Sequence, residues 1–345
     1  MKIHMPASKL HIGKLFRCIF LVGILLLFYC AYQDSLIDGI QEISHISAGT
    51  ICALLGASTG YMLLEGLIVW LTAGADSPTI NIIDGICCAF HCSFVRLLTF
   101  GSGGGVGEVW FLGKKGIDPA KATGMSMLQY LIQKAAVALL GIAAYILYFL
   151  RQDNSNSYYT PYILFAAFIT VGIGTALALI LFSQTFRTVL LRLLHMICSQ
   201  FPCLQKKEQL FHRQVENLQL GSRLLARKHW RIVGILILNF GKYFCWFSTP
   251  YILYGSGEEI SPGISISLMA LATMLAGAIP APGGYGSIEF MLLLLFSPIL
   301  SKGQVLSLSI LYRFVTSFFP FFTGAVLAAI RNRILILQER SKNDT

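Results

Sequence analysis

The chain has 345 residues, of which 55% are hydrophobic and only 12% are charged, and its formal net charge is +10 at pH 7. In soluble domains roughly a quarter of the residues are charged, so this composition excludes an ordinary soluble protein. A mean hydropathy of +0.69 indicates that lipid replaces water over much of the surface. The nine cysteines show no C-x-x-C or Cys/His ligand spacing. They are therefore interpreted as small hydrophobic residues, and neither a metal nor a cofactor is expected.

Uncharged apolar runs of about 20 residues predict helices that cross a membrane completely. The first run follows a basic start without a convincing cleavage site, so it is interpreted as a signal anchor. The predicted spans are Phe16–Tyr32, Ile46–Thr72, Thr123–Leu150, Pro161–Phe182, Ile232–Tyr254 and Gln304–Ile330.

Two further apolar regions, Ile80–Leu112 and Gly263–Leu300, are interrupted near their middle by glycine and proline. The first contains FGSGGGVGE from Phe100 to Glu108, and the second contains IPAPGGYGSIE from Ile279 to Glu289 with Pro280 and Pro282. Broken backbone at membrane depth is tolerated only inside protein or beside a cavity. These breaks are therefore the predicted functional centre.

Lysine and arginine are concentrated in the N-terminal tail, in residues 183–231 and in the C-terminal tail, which predicts that all three are cytoplasmic. This orientation requires each interrupted region to return to the side from which it entered, as a re-entrant helical hairpin. The fold class is thus an all-α polytopic membrane protein with about six full transmembrane helices and two re-entrant hairpins. The predicted organisation is a tail and first helix at 1–45, a first repeat at 46–150 with its hairpin at 80–112, a connecting helix at 161–182, a basic amphipathic segment at 183–231, a second repeat at 232–330 with its hairpin at 263–300, and a tail at 331–345.

The two interrupted regions enter from opposite sides, which predicts an inverted-topology repeat of the kind found in transporters. The sequence spacing supports this interpretation. The offset that aligns Gly104-Gly105-Val106-Gly107 with Gly283-Gly284-Tyr285-Gly286 also aligns Lys134 with Arg313. One basic residue therefore follows each glycine motif at an equal distance, inside the next predicted span.

The chemistry predicted for the breaks is anion recognition. A helix that begins after a glycine turn directs free N–H groups and the positive end of its dipole toward a phosphate or carboxylate. Lys134 and Arg313 add positive charge, with Glu108, Glu289 or a bound anion as the compensating partner. The candidate substrate-binding residues are Arg313, Lys134, Glu289, Glu108, Gly104, Gly105, Gly107, Gly283, Gly284, Gly286, Tyr285, Tyr312 and Arg96, with Pro280 and Pro282 as structural breaks.

Structural interpretations of the same residues stay open. The glycines are also typical of close helix packing, and Glu108 or Glu289 could close a structural salt bridge. Arg96 could face a cavity or extend to an interface. A pair between Glu65 and Lys242 would join the two repeats.

Several motifs resemble the membrane domain of the lysylphosphatidylglycerol synthase/flippase family over nearly the whole chain. They are PAPGGYGSIE at Pro280–Glu289, Tyr312-Arg313, Pro320–Gly324, Gly107-Glu108 and Lys114-Lys115-Gly116. The resemblance implies a lipid-translocating domain with two re-entrant hairpins. Gln133-Lys134 departs from the acidic-basic pair usual in the family. The chain ends about 15 residues after the last predicted helix, without the family's soluble aminoacyl-transferase domain, so it is not expected to synthesise the lipid.

The leading hypothesis is a flippase that moves an anionic or lysylphosphatidylglycerol-like head group between leaflets of the plasma membrane. The alternatives are a secondary transporter of a soluble anion and a membrane partner of a separate lysyltransferase. No defensible catalytic triad, metal cluster or nucleotide-binding loop supports an enzyme. The expected partners are phospholipid, the membrane, and either a second copy of the chain or a separate lipid synthase. The basic charge is assigned to the membrane surface rather than to nucleic acid.

Overall fold

The computed structural model describes residues 41–99, 101, 103–146, 160–200, 208–255, 260–279, 281, 284–327 and 329. These residues are overwhelmingly helical and contain no strand, as expected for an all-α membrane protein. The predicted first span Phe16–Tyr32 lies outside the described residues, as do Pro280, Pro282 and Gly283.

The helices are numbered here in chain order. Their bounds are α1 Ala48–Ala73, α2 Ile82–Leu98, α3 Gly104–Lys114, α4 Pro119–Ala144, α5 Thr160–Phe182, α6 Gln184–Gln200, α7 Glu208–Ala226, α8 His229–Phe247, α9 Thr249–Tyr254, α10 Pro262–Ala276, α11 Ser287–Phe296 and α12 Lys302–Arg313. A π-helical turn at Phe314–Phe318 continues α12.

Five helical stretches of the described chain are long and apolar enough to cross a membrane. They coincide with the five predicted spans that the structure describes, and those predictions are confirmed. The stretches are Ala48–Ala73, Pro119–Ala144, Leu164–Phe182, His229–Tyr254 and Lys302–Leu327. The helix α4 begins at Pro119, before the predicted Thr123, because the Asp118 side chain accepts hydrogen bonds from the first backbone N–H groups.

Each interrupted region forms a pair of short helices. The helices α2 and α3 have 17 and 11 residues, and α10 and α11 have 15 and 10. At 1.5 Å per residue, α3 and α11 are only about 15–17 Å long, against a hydrocarbon core of about 30 Å. This length agrees with the predicted re-entrant hairpins, whose path across a bilayer stays a prediction.

The helix α4 joins the two parts of the molecule. Its first part packs with α1, α3, α7 and α8 around buried residues that include Met125 and Leu128. Its last part packs with α8, α10 and α11 through Val137 and Ala144. Residues between these two contact regions, from Gln129 to Lys134, are therefore positioned where both parts of the protein meet.

The basic segment between the predicted repeats forms α6 and α7, both strongly amphipathic. The sequence assigns the charge of this segment to the membrane surface, but Leu225 of α7 is fully buried in a protein core with α1 and α4. Two glycines explain this contact. The backbones of α4 and α7 cross so closely that a Cβ at Gly124 would lie 1.9 Å from the Leu218 carbonyl oxygen, and a Cβ at Gly221 would lie 2.2 Å from the Lys121 carbonyl oxygen.

We predict that Gly124→Ala destabilises the protein, because the added methyl group must push α7 away from α4. Overpacking of this kind costs roughly 1–3 kcal/mol, which would lower the thermal midpoint measured by fluorescence-detected gel filtration in detergent. The control is Gly56→Ala in α1, where an added Cβ meets nothing within 4 Å. Equal midpoints for the two variants would contradict the α4–α7 crossing.

Candidate functional site

A first cavity of about 480 Å³ lies among α1, α2, α3 and α4. Glu65, Arg96 and Glu108 are the charged residues among those that line it. Hydroxyl and amide groups of α4 complete the polar wall, and they belong to Thr123, Ser126, Gln129, Tyr130 and Gln133. The cavity thus offers one cation, two carboxylates and several uncharged hydrogen-bonding groups between two candidate spanning helices, α1 and α4, and the α2–α3 pair.

The N-terminus of α3 opens into this first cavity. Gly104, Gly105 and Val106 form the first turn and line the cavity, and the N–H of the preceding Gly103 donates a 2.7 Å hydrogen bond to Thr99 Oγ1. The first-turn N–H groups of a helix have no acceptor within it, so they are available to an anion. The Arg96 guanidinium lies beside them, since a Cβ at Gly104 would be 3.0 Å from Arg96 Nε.

Glu108 is 9% exposed and accepts a 2.7 Å hydrogen bond from Ser126 Oγ. The predicted ion pair between Glu108 and Lys134 is absent. Glu108 therefore keeps acceptor capacity that faces the cavity, and within the described residues no cation forms an ion pair with it.

A second cavity of about 440 Å³ adjoins the first and shares Arg96, Tyr130 and Gln133 with it. Its wall also includes Lys134 and Arg313, and none of its described lining residues is acidic. Further lining groups come from α8, α10 and the π-helical turn, and they include Tyr243, Trp246, Thr273, Thr316 and Ser317. The second cavity is therefore strongly cationic.

Arg313 is held by the second glycine motif. Its guanidinium donates through Nε and Nη2 to both carboxylate oxygens of Glu289 and through Nη2 to the Gly284 carbonyl oxygen at 2.5 Å. Its guanidinium also stacks over the Tyr285 ring, 4.3 Å from the centroid. The predicted pairing of Arg313 with Glu289 is confirmed.

The same carboxylate binds the N-cap of α11. Glu289 Oε2 accepts a 2.8 Å hydrogen bond from the Gly286 N–H, and Gly286 has a φ of 85°. The N–H groups of the second motif were expected to bind the substrate, as in the first. Instead the Gly286 N–H is occupied by Glu289, whereas Glu108 of the first motif bonds to Ser126.

Lys134 extends from α4 into the second cavity. Its Nζ lies 3.3 Å from the position of a Cβ at Gly277 and 5.3 Å from the centroid of the Tyr130 ring. Neither Glu108 nor Glu289 pairs with it, so of the compensating partners expected from the sequence only a bound anion stays a prediction. Among the described residues, Lys134 and Arg96 are cavity cations without an ion-pair partner.

A different pair of charges stabilises the wall between the helices. Lys242 of α8 is completely buried, and its Nζ lies 2.5 Å from Glu65 Oε2 of α1. The predicted contact between these residues is confirmed. Tyr61 stacks face to face on Trp246 beside them, with ring centroids 3.5 Å apart. The Lys242 ammonium neutralises Glu65, one of the two carboxylates of the first cavity.

The other predicted residues take different positions. Gly105 faces the first cavity, whereas Gly107 packs against Val95 and so fits the helix-packing interpretation. Tyr312 lines the second cavity. Sequence reasoning missed Trp246 and Thr273, because only packing shows that the indole Nε1 and the threonine Oγ1 are buried without a hydrogen-bond partner. In the described part of the chain, no three His, Cys, Asp or Glu side chains are grouped for a metal ion.

These observations define a polytopic α-helical membrane protein with two joined polar cavities between its spanning helices. The chain belongs to the family described as the lysylphosphatidylglycerol synthase TM region, whose model matches residues 15–324. The match extends from the start of the first apolar run into the last one. No curated protein matches the chain.

We predict that Lys242→Met destabilises the protein by about 3–5 kcal/mol, because it leaves the Glu65 charge buried without its partner. The double variant Lys242→Met with Glu65→Leu should regain much of this loss, since no buried charge then remains. Thermal midpoints of the wild type, both single variants and the double variant form the cycle that tests the pair. A double variant whose loss in thermal midpoint equals the sum of the two single losses would contradict a coupled ion pair.

Proposed function

We propose that the protein is a lipid flippase, in which a phospholipid head group passes between leaflets through the two joined cavities. The membrane location and the lipid-related family support this proposal. The observation that carries it is Arg96, which forms no ion pair with any described residue and lines both cavities beside the N-terminus of α3.

The phosphate group is assigned to Arg96 and the first-turn N–H groups of α3. A charged group is costly near the bilayer centre. A charged head group also meets this cost in bare lipid, and a cation with backbone donors would lower it. The acyl chains would remain in lipid while the head group moves from one cavity to the other.

The predicted inverted repeat supplies the motion in this proposal. Rocking of the α1–α4 unit against the α8–α12 unit would expose the first and second cavities in turn. The α2–α3 and α10–α11 pairs act as the re-entrant hairpins. The protein lies in the plasma membrane, with its N- and C-termini in the cytoplasm. The basic residues of α6 and α7 keep that side toward the anionic inner leaflet.

The alternatives make different demands on the same cavities. A soluble-anion transporter would use Arg96 without moving lipid, and a partner of a separate lysyltransferase would bind that enzyme without moving either. Both are outcomes of the following measurement.

We predict that purified protein in phosphatidylcholine vesicles accelerates the movement of tail-labelled phospholipid between leaflets, and that Arg96→Gln lowers the rate roughly 10- to 100-fold. This range corresponds to losing a charge-assisted contact of about 1.5–3 kcal/mol. The rate is measured by reduction of the label in the outer leaflet with dithionite.

The matched control is Arg213→Gln on α7, an exposed arginine outside both cavities. This control should keep the wild-type rate. Folded protein that moves no lipid would contradict the flippase proposal, and equal rates for both variants would contradict the role of Arg96.

Gly104→Ala tests the placement of Arg96 without changing any charge. The added Cβ would displace the guanidinium, so we expect lipid movement to fall toward the Arg96→Gln rate while thermal stability stays close to that of the wild type. Gly113→Ala in the same helix is the control, because its Cβ meets only Pro119 Cγ at an ordinary 3.9 Å. Equal lipid movement in both glycine variants would show that the position of Arg96 does not matter.

A further inference from the structure

The charges that remain unpaired in the two cavities identify the class of head group. We infer that this site takes a phospholipid head group of net negative charge that carries hydroxyl groups, in preference to an aminoacylated, cationic one. The inference rests on the proposed function and specifies its substrate.

Two of the ion pairs are complete within the protein. Lys242 neutralises Glu65, and Glu289 neutralises Arg313. Removing these pairs leaves Arg96, Lys134 and Glu108 as the charged groups that face the cavities among the described residues. Two cations and one carboxylate give a surplus of one positive charge, which a head group with one net negative charge would balance.

Two residues of the second cavity wall carry polar groups that have no hydrogen-bond partner among the described residues. Trp246 Nε1 and Thr273 Oγ1 are buried, and both residues line this cavity with Lys134. An indole N–H can only donate, so a group that reaches Trp246 Nε1 must be an acceptor. A phosphate oxygen is such an acceptor, whereas an ammonium group is itself a donor.

The first cavity complements an uncharged, hydroxylated part of the head group. Glu108 and Gln129 provide oxygen acceptors. The hydroxyl groups of Ser126 and Thr123 donate to Glu108 and to the Pro119 carbonyl oxygen, so toward a head group they accept, whereas the Tyr130 hydroxyl can donate or accept. A glycerol or other polyol fits these groups when its phosphate lies at Arg96, where the cavities join. Glu108 as the single unpaired carboxylate is a poor match for a lysyl group, which brings two amines.

The experiment compares three labelled lipids in neutral phosphatidylcholine vesicles that contain the full chain. They are phosphatidylglycerol, with one negative charge, phosphatidylethanolamine, with no net charge, and lysylphosphatidylglycerol, with one net positive charge. We expect phosphatidylglycerol to move roughly tenfold faster than lysylphosphatidylglycerol, the size of one charge-assisted contact. Equal or faster movement of lysylphosphatidylglycerol would overturn the inference and leave the flippase function intact.

Lys134→Gln tests the charge directly. It should lower the rate for phosphatidylglycerol roughly tenfold and leave the rate for lysylphosphatidylglycerol unchanged or higher, so that the preference disappears. Lys302→Gln, at an exposed position outside both cavities, is the control. A uniform loss for all three lipids in Lys134→Gln would show that Lys134 does not select by charge.

A further experiment distinguishes the movement of a lipid from the transport of a soluble anion. Vesicles loaded with glycerophosphoglycerol, which has the head group without acyl chains, are assayed for release. Release without movement of any lipid would overturn the proposed function rather than the charge preference alone. Movement of phosphatidylglycerol without release of the soluble compound supports both.

Discussion

Hydrocarbon neither solvates a charge nor hydrogen-bonds to free backbone, and the rest of the structure depends on this constraint. Every charged side chain within the spanning helices therefore needs a partner or an aqueous space. Lys242 and Arg313 have carboxylate partners from other helices. Arg96, Lys134 and Glu108 face the two cavities instead, which is why these cavities, rather than the ion pairs, are where a polar substrate can bind.

The two glycine motifs share the same glycine spacing but make different hydrogen bonds. Glu289 is the third residue of α11, the position from which a side chain reaches back to the N-cap N–H. Glu108 directly follows its motif and is the fifth residue of α3, because that helix begins four residues earlier relative to its motif. From there Glu108 cannot cap the helix, and it bonds to Ser126 instead. The N-cap N–H of α3, at Gly103, is bound by Thr99 Oγ1, so only in α11 does the acid after the motif bind the N-cap.

Hydropathy was sufficient to predict the five spans that the structure describes, and glycine and proline located both interruptions. The pairing of charges was only partly predictable. Equal spacing suggested that Lys134 and Arg313 are equivalent, yet Arg313 is bound to Glu289 and Lys134 has no ion-pair partner among the described residues. The two acids differ in position, since Glu289 lies three residues after its motif and Glu108 follows its motif directly. The burial of α7 was also missed. Its amphipathic pattern is the same whether lipid or protein covers the apolar face, and only the close approach at Gly124 and Gly221 decides between them.

The position of Arg96 gives the proposed transport a physical basis. A head group that left one cavity before entering the next would lose all its polar contacts at once. Arg96 contributes to the walls of both cavities, so its guanidinium, with several donors in one plane, can keep one phosphate contact while the others exchange. The missing side chain at Gly104 is what lets the guanidinium lie at the α3 N-terminus. The glycine motif of the first repeat therefore leaves room for the Arg96 guanidinium in addition to interrupting the apolar region.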